Sequence, residues 1–159
     1  MYAFLTFIIT CIKVNSVFFH VMGGQKMIAS TKGRYALRVM ADMAEYGKDG
    51  EFISLKDIAA REEISEKYLE AIMKLLVENK LVLGHRGKGG GYRLVKKPGE
   101  YNVGEIIRAA EGDIAPVACL SQGAQKCDRY DVCRTVSMWE KLDTIINDYL
   151  DGVKLTDLI

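Results

Sequence analysis

The stretch from Ser54 to Val95 constrains the fold more than any other part of the chain. Its most specific segment is Gly84-His85-Arg86-Gly87-Lys88-Gly89-Gly90-Gly91, five of whose eight residues are glycine. Leu81-Val82-Leu83 before it reads as a strand, and Tyr92-Arg93-Leu94-Val95 after it as the return of a hairpin. Asn79 to Gly99 holds six Lys or Arg and no acid, in a chain with 22 basic and 21 acidic residues in all. A local excess of that size marks contact with a polyanion better than net charge does.

Two short helices are predicted just before the hairpin. Ser54-Leu55-Lys56-Asp57 is an N-cap followed by a carboxylate at the third helical position, and Ile58 and Ala59 lie inside the helix it opens. Ser65 caps a second helix, Glu66 to Lys80, with Leu69, Ile72, Leu75 and Leu76 on one face. The opposite stripe is Lys67, Glu70, Ala71 and Lys74. It is polar at its long side chains and flat at Ala71, as a helix laid into a DNA major groove needs to be. Helix, turn, helix and basic hairpin in that order predict a winged helix-turn-helix. The fold class expected is mainly α, with a two-stranded wing and a long C-terminal dimerisation helix.

Two blander readings compete. A two-helix unit with one apolar face is most often plain core. A glycine-rich loop with Lys also suggests phosphate binding in a nucleotide enzyme, but the spacing excludes it. Lys88 is followed by Gly89, not Ser or Thr, and Gly87-x-Gly89 lacks a third glycine because position 92 is Tyr.

Three motifs in order carry a family resemblance: Ser30-Thr31-Lys32-Gly33-Arg34-Tyr35-Ala36-Leu37-Arg38, then Ile64-Ser65-Glu66-Lys67-Tyr68-Leu69-Glu70, then Arg86-Gly87-Lys88-Gly89-Gly90-Gly91-Tyr92. From about Met27 to the C-terminus the chain resembles the IscR/NsrR/CymR-type winged-helix regulators. The resemblance implies a homodimeric bacterial transcription factor, often carrying an iron–sulfur cluster, that binds double-stranded DNA. The candidate DNA contacts are Lys32, Arg34, Ser65, Lys67, Tyr68, Glu70, Arg86 and Lys88, and the resemblance favours Arg86 among them as a reader. Arg86 is expected to read a base edge or a minor groove, Lys67 and Lys88 to hold phosphates, and Glu70 to accept from cytosine. One departure is Glu63, where the family usually has glycine. A left-handed backbone there costs a non-glycine residue roughly 1–2 kcal/mol, so the turn is expected to differ slightly.

Length and composition set outer limits. The 159 residues suffice for one domain with a modest core, and 49% apolar with 27% charged residues is ordinary for a soluble protein. Residues 1–26 differ from the rest. Tyr2 to Met22 is mostly apolar, interrupted by Lys13, Asn15 and His20. A signal anchor, a signal peptide and an upstream extension from a mis-assigned start all compete. The last is preferred, because the family pattern begins at Met27 and Gly23-Gly24 permits codons that form a ribosome-binding sequence. A chain beginning at Met27 is expected to function, and the expected location is cytoplasmic, with no membrane partner.

Thr31 to Gly47 reads as the first helix, with Leu37, Met40, Ala41 and Ala44 as its apolar face. Lys32, Arg34 and Arg38 lie near its start, where side chains and exposed N–H groups could meet a phosphate, or simply form a solvated basic end. Phe52-Ile53 reads as a short edge strand. Beyond the wing, Asn102 caps a helix ended by Gly112. Asp113 to Asp131 shows no sustained period. A last helix starts near Cys133, with Val136, Trp139, Leu142, Ile146, Tyr149 and Val153 at spacings of three and four. Core burial within one subunit competes there with a two-fold dimer seam, which is preferred and suits an operator of two half-sites.

Cys119, Cys127 and Cys133 fall within fifteen residues, apart from Cys11 in the leader. Their spacing lacks the paired C-x2-C of zinc ribbons. It resembles the three-cysteine loop of the family, which implies a 2Fe-2S or 4Fe-4S cluster with a weak or non-cysteine fourth ligand. Some relatives use a His three residues after the third cysteine. Here that position is Val136, so Asp128, Asp131, a partner-subunit residue or an exogenous thiol is left to serve. A thiol switch, a zinc site and unliganded cysteines are the alternatives.

These readings divide the chain into a leader (1–26), a winged helix-turn-helix (27–100), a connecting helix with the cysteine loop (101–133) and a dimerisation helix with its tail (134–159). The function expected is a DNA-binding transcription regulator, a repressor, whose affinity an iron–sulfur cluster sets. No catalytic set is visible, so the chain is not expected to be an enzyme. The rivals are a cluster-free regulator controlled by a regulatory protein partner or by thiol oxidation, a small iron–sulfur redox protein, and a membrane-anchored regulator using residues 2–22.

Overall fold

The computed structural model describes residues 29–47, 50–87 and 89–159. The apolar leader and its Cys11 lie outside the described residues. Among the described residues, five α-helices and a two-stranded antiparallel sheet follow in order: α1 (Thr31–Tyr46), α2 (Leu55–Glu62), α3 (Glu66–Glu78), β1 (Val82–His85), β2 (Gly91–Leu94), α4 (Val103–Glu111) and α5 (Val136–Gly152). Short 3-10 turns lie between and after them. This is the mainly helical architecture that the order of sequence signals predicts.

Helix α1 is the centre of the core. Ala36, Val39 and Met40 are fully buried and Met43 nearly so. The predicted face of Leu37, Met40, Ala41 and Ala44 is therefore rotated: of the four only Met40 is buried, and the others pack at the margin. The reason is the number of neighbours. α1 packs against α2, α3, α4, β2 and the last 3-10 turn, so apolar residues are needed over more than one stripe.

A second link between α1 and α2 is polar. Arg61 donates two bonds to Asp42, at 2.6 and 2.8 Å, and lies 4.5 Å from the centre of the Tyr46 ring. The Asp42 side chain is only 1% exposed, so this fork satisfies a carboxylate that would be costly to bury alone.

The core does not stop at the wing. Tyr101, Ile106 and Ala110 join the same cluster, and so does Leu155 from the 3-10 turn Leu155–Leu158. The chain end is pinned there by Leu155 N–H to Tyr101 O (3.1 Å) and Val103 N–H to Val153 O (2.9 Å). Burying a leucine at this point contributes about 1.5–3 kcal/mol, which fixes the base of α5 although none of α5's own residues is buried.

Candidate nucleic-acid interface

Two left-handed residues bracket α3 and set its angle. After α2, Glu63 adopts φ 53°, ψ 40°, and the Ile64 N–H returns to Ala59 O at 3.1 Å. Glu63 thus holds a left-handed conformation in this turn without being glycine. After α3, Lys80 has φ 58°, with Lys80 N–H on Val77 O (2.9 Å) and Leu81 N–H on Leu76 O (2.9 Å). That pair of bonds is a Schellman ending. It stops the helix at Glu78 rather than at the predicted Lys80, because Leu81 must turn back to bury itself beside Leu76.

Between these stops, Leu69, Ile72, Met73 and Leu76 are buried, while Lys67, Glu70, Ala71 and Lys74 are all exposed. The predicted outer stripe is thus the free face of α3. Ser65 is exposed, and its hydroxyl takes the Tyr68 N–H at 3.4 Å as the helix cap. Tyr68 is half-buried, with its ring edge-on to Tyr35 at 5.8 Å.

The wing pairs Val82 with Leu94 and His85 with Gly91. Ile53 adds a bridge to Tyr92 through two bonds of 2.9 and 2.8 Å, so the expected edge strand is a single bridging residue. Gly91 makes this close approach feasible: a Cβ there would stand 2.2 Å from Ile53 O. Phe52 supports the wing from below, 5.2 Å from the Arg93 guanidinium and 5.5 Å from the His85 ring. An open groove of about 790 Å³ separates helix and wing. Glu70, Lys74 and Glu78 line it on one side, and His85, Arg86 and Gly87 on the other. Arg86 is exposed at its rim. Lys88 lies outside the described residues.

At the start of α1, Arg34 is exposed and donates to the Thr31 hydroxyl at 3.2 Å, and Lys32 is half-buried. Of the N–H groups expected to be open to a phosphate, those of Ser30, Lys32 and Gly33 are instead engaged. Glu111 Oε1 accepts from Ser30 N–H (2.9 Å) and Gly33 N–H (2.8 Å), and Ser30 Oγ takes the Lys32 N–H at 3.1 Å. Burial alone would raise the Glu111 pKa. The Ser30 hydroxyl, the two N–H groups and the Lys32 charge outweigh it and hold the carboxyl below its usual range. Arg38 is engaged elsewhere: it donates to the Glu62 carboxylate and carbonyl, both at 2.7 Å, and so closes the end of α2.

The three cysteines are free thiols. Cys119 lies in the 3-10 turn Ala118–Leu120 and is half-buried; Cys127 and Cys133 are exposed. Tyr130 links the latter two, donating its N–H to Cys127 O (2.8 Å) and accepting from Cys133 N–H (3.2 Å). Its phenol donates to Glu140 of α5 at 2.5 Å. The Cys133 thiol sits 3.4 Å from the Thr135 hydroxyl. That bond, the Thr135 N–H and the Arg129 charge lower the pKa of Cys133. Among the described residues no three His, Cys, Asp or Glu side chains are gathered closely enough to hold a metal ion.

Comparison with known proteins decides the family. The model of the Rrf2 family, described as iron-dependent transcriptional regulators, matches residues 29–159. The chain belongs to the Rrf2 family. The transcriptional regulator IscR of Pectobacterium atrosepticum is 38% identical over 133 residues, covering 84% of this chain and 79% of that one. Among solved structures, IscR of T. potens is 36% identical with a TM-score of 0.64, covering 87% of this chain and 88% of that one. CymR, the global cysteine regulator of B. subtilis, is 35% identical with a TM-score of 0.63, covering 81% and 93%.

Rrf2 proteins are winged-helix transcription regulators and not enzymes, so this chain is one too, as its residues predicted. The regulator reading therefore stands over the redox-protein rival. No described helix of this Rrf2 member is long and apolar enough to cross a membrane. Sequence reasoning did not find Phe52 under the wing, Glu111 at the start of α1 or Tyr130 between two cysteines. The nearest available signal for Glu111 was its place beside Gly112, where a helix ends.

Proposed function

We propose that this Rrf2 regulator is a cytoplasmic homodimer that represses transcription by binding double-stranded DNA in a sequence-specific way. An iron–sulfur cluster, 2Fe-2S or 4Fe-4S, on Cys119, Cys127 and Cys133 sets its affinity. Arg86 and Glu70 read bases. Lys67, Lys88, Lys32 and Arg34 hold phosphates, and Ser65 and Tyr68 approach the backbone at the start of α3. The parts divide as readout across the helix–wing groove, the cysteine segment (part of 101–133) and pairing through 134–159.

What carries the cluster reading is the donor set. Three free thiols lie on one segment that joins α4 to α5 and contributes little to the core. They can converge without unpacking α1, α2 or α3. When bound, the cluster supplies a labile redox centre. The thiolates would hold it, Thr135 keeps Cys133 ready to ionise, and Tyr130 ties the segment to α5 through Glu140. Asp128 and Asp131, both exposed on the same segment, are the oxygen donors at hand for a fourth position; Val136 offers none.

The test is a set of single Cys→Ala replacements at positions 119, 127 and 133, each assayed for visible absorption, iron, sulfide and operator binding. Each should lose the chromophore, remain a folded dimer and change its affinity for at least some operators. Full iron and sulfide in all three would refute the cluster. A second reading, control by thiol oxidation without a cluster, is favoured by the exposure and lowered pKa of Cys133. Iron-free protein whose operator affinity responds to oxidant would select it. A response only to an added regulatory protein would select control by a partner.

A further inference from the structure

A helix start usually presents free N–H groups and a positive dipole end, both attractive to phosphate. At the start of α1 these groups already have an anion of the chain's own. Glu111 Oε1 accepts three bonds, from Ser30 N–H (2.9 Å), the Ser30 hydroxyl (2.6 Å) and Gly33 N–H (2.8 Å). Gly33 makes the approach feasible, since a Cβ there would stand 2.6 Å from that oxygen. Lys32 and Arg34 flank Gly33 on this turn. Glu111 closes α4, and α4 is itself held to α5, with Arg108 donating to Asn147 at 2.9 Å and to Asp151. A free carboxylate beside a phosphate-binding surface would repel DNA. Here its charge is taken up by three donors.

We propose that Glu111 is a positioning residue for DNA binding: its carboxylate fixes the first turn of α1, so that Lys32 and Arg34 meet backbone phosphates in one set orientation. The inference rests on the reading of Lys32 and Arg34 as phosphate contacts. It adds a residue that touches no DNA yet decides whether those contacts form.

The experiment is the salt dependence of operator binding by the full chain. Lys32→Ala combined with Arg34→Ala should lower the slope of log K against log salt by about two. Glu111→Ala should lower it by about one to two without new charge at the DNA surface. Gly33→Ala, which forces the carboxylate away, should do the same by an independent route. Neither should add to the loss in the Lys32→Ala, Arg34→Ala background, because the same contacts are already gone. Glu111→Gln, whose amide oxygen can accept the same bonds, should restore most of the slope. Weaker binding with an unchanged slope, or tighter binding through relief of repulsion, overturns the proposal. If the Lys32 and Arg34 pair itself leaves the slope unchanged, the phosphate reading fails and the proposal falls with it. If only Glu111→Ala and Gly33→Ala leave it unchanged, the phosphate contacts stand and the proposal alone is overturned.

Discussion

The Tyr101 hydroxyl donates to the Leu81 carbonyl at 2.8 Å, fastening the chain two residues before α4 to the foot of the wing. The same oxygen accepts from Val95 N–H (2.8 Å) and Lys96 N–H (2.7 Å). One phenol thus joins the chain entering the hairpin to the chain leaving it. Burial raises its pKa, against the two N–H bonds that would lower it, so it stays protonated and keeps donating. Tyr101→Phe removes all three bonds; Val95 N–H keeps its 3.3 Å bond to Leu81 O, but Lys96 N–H loses its acceptor, and the change should cost about 1–3 kcal/mol. It should appear as a lower urea midpoint with an unchanged slope. Operator affinity should fall too, because the wing loses its anchor. An unchanged midpoint would show that the hairpin holds itself.

Glu63 tests the strain in the turn of the helix-turn-helix. Its φ of 53° is a glycine conformation. Glu63→Gly removes the left-handed penalty but gives the unfolded chain more freedom, so a net gain of roughly 0.5–1 kcal/mol is expected. A thermal or urea midpoint that drops instead would mean that the Glu63 side chain contributes more than its backbone costs.

How much of this was legible in the sequence depended on range. Ser54, Ser65 and Asn102 announce helix starts, and each does cap one, because a cap needs a partner only two or three residues away. The outer face of α3 was legible for the same reason: period alone fixes it. Tyr101, Glu111 and the Asp42–Arg61 fork were not, since their partners lie 20, 81 and 19 residues away and no local pattern encodes them. The many neighbours of α1 blurred its predicted face. In α5 the predicted stripe splits. Ile146 and Val153, with Leu150, pack on Val103, Ile107 and Ile114 of the same chain. Met138, Ile145 and Tyr149 stay 50%, 54% and 70% exposed. A seam of Met138, Leu142, Ile145 and Tyr149 keeps the spacing but lies about one residue round the helix.

That split sharpens the dimer prediction. Ile145→Glu and Leu142→Glu put a charge into the proposed seam, where burial without a partner is costly. Both should yield folded monomers by light scattering and circular dichroism, with operator binding lost. Ile146→Glu should destabilise the subunit itself. A dimer that survives both seam substitutions would place the interface elsewhere.

The DNA contacts should separate by role. Arg86→Ala is expected to cost roughly 1–3 kcal/mol on the cognate operator and to blur specificity. Glu70→Ala should relax specificity more than it reduces affinity. Lys67→Ala should weaken all sequences alike and lower the salt slope by about one. Quantitative footprinting on cognate and scrambled duplexes separates these outcomes. Unchanged cognate footprints for both Arg86→Ala and Glu70→Ala would mean that α3 and the wing do not dock as the groove between them suggests.

The proposed iron–sulfur cluster on the cysteine segment would set operator affinity. This is tested most directly by purifying the protein without oxygen, recording its absorption spectrum, assaying iron and sulfide, and titrating that same sample onto operator DNA before and after the iron is removed. A coloured protein with iron and sulfide in proportion and a different operator affinity once the iron is gone is the expected result. A colourless protein after anaerobic reconstitution, or one affinity for both forms, would contradict it.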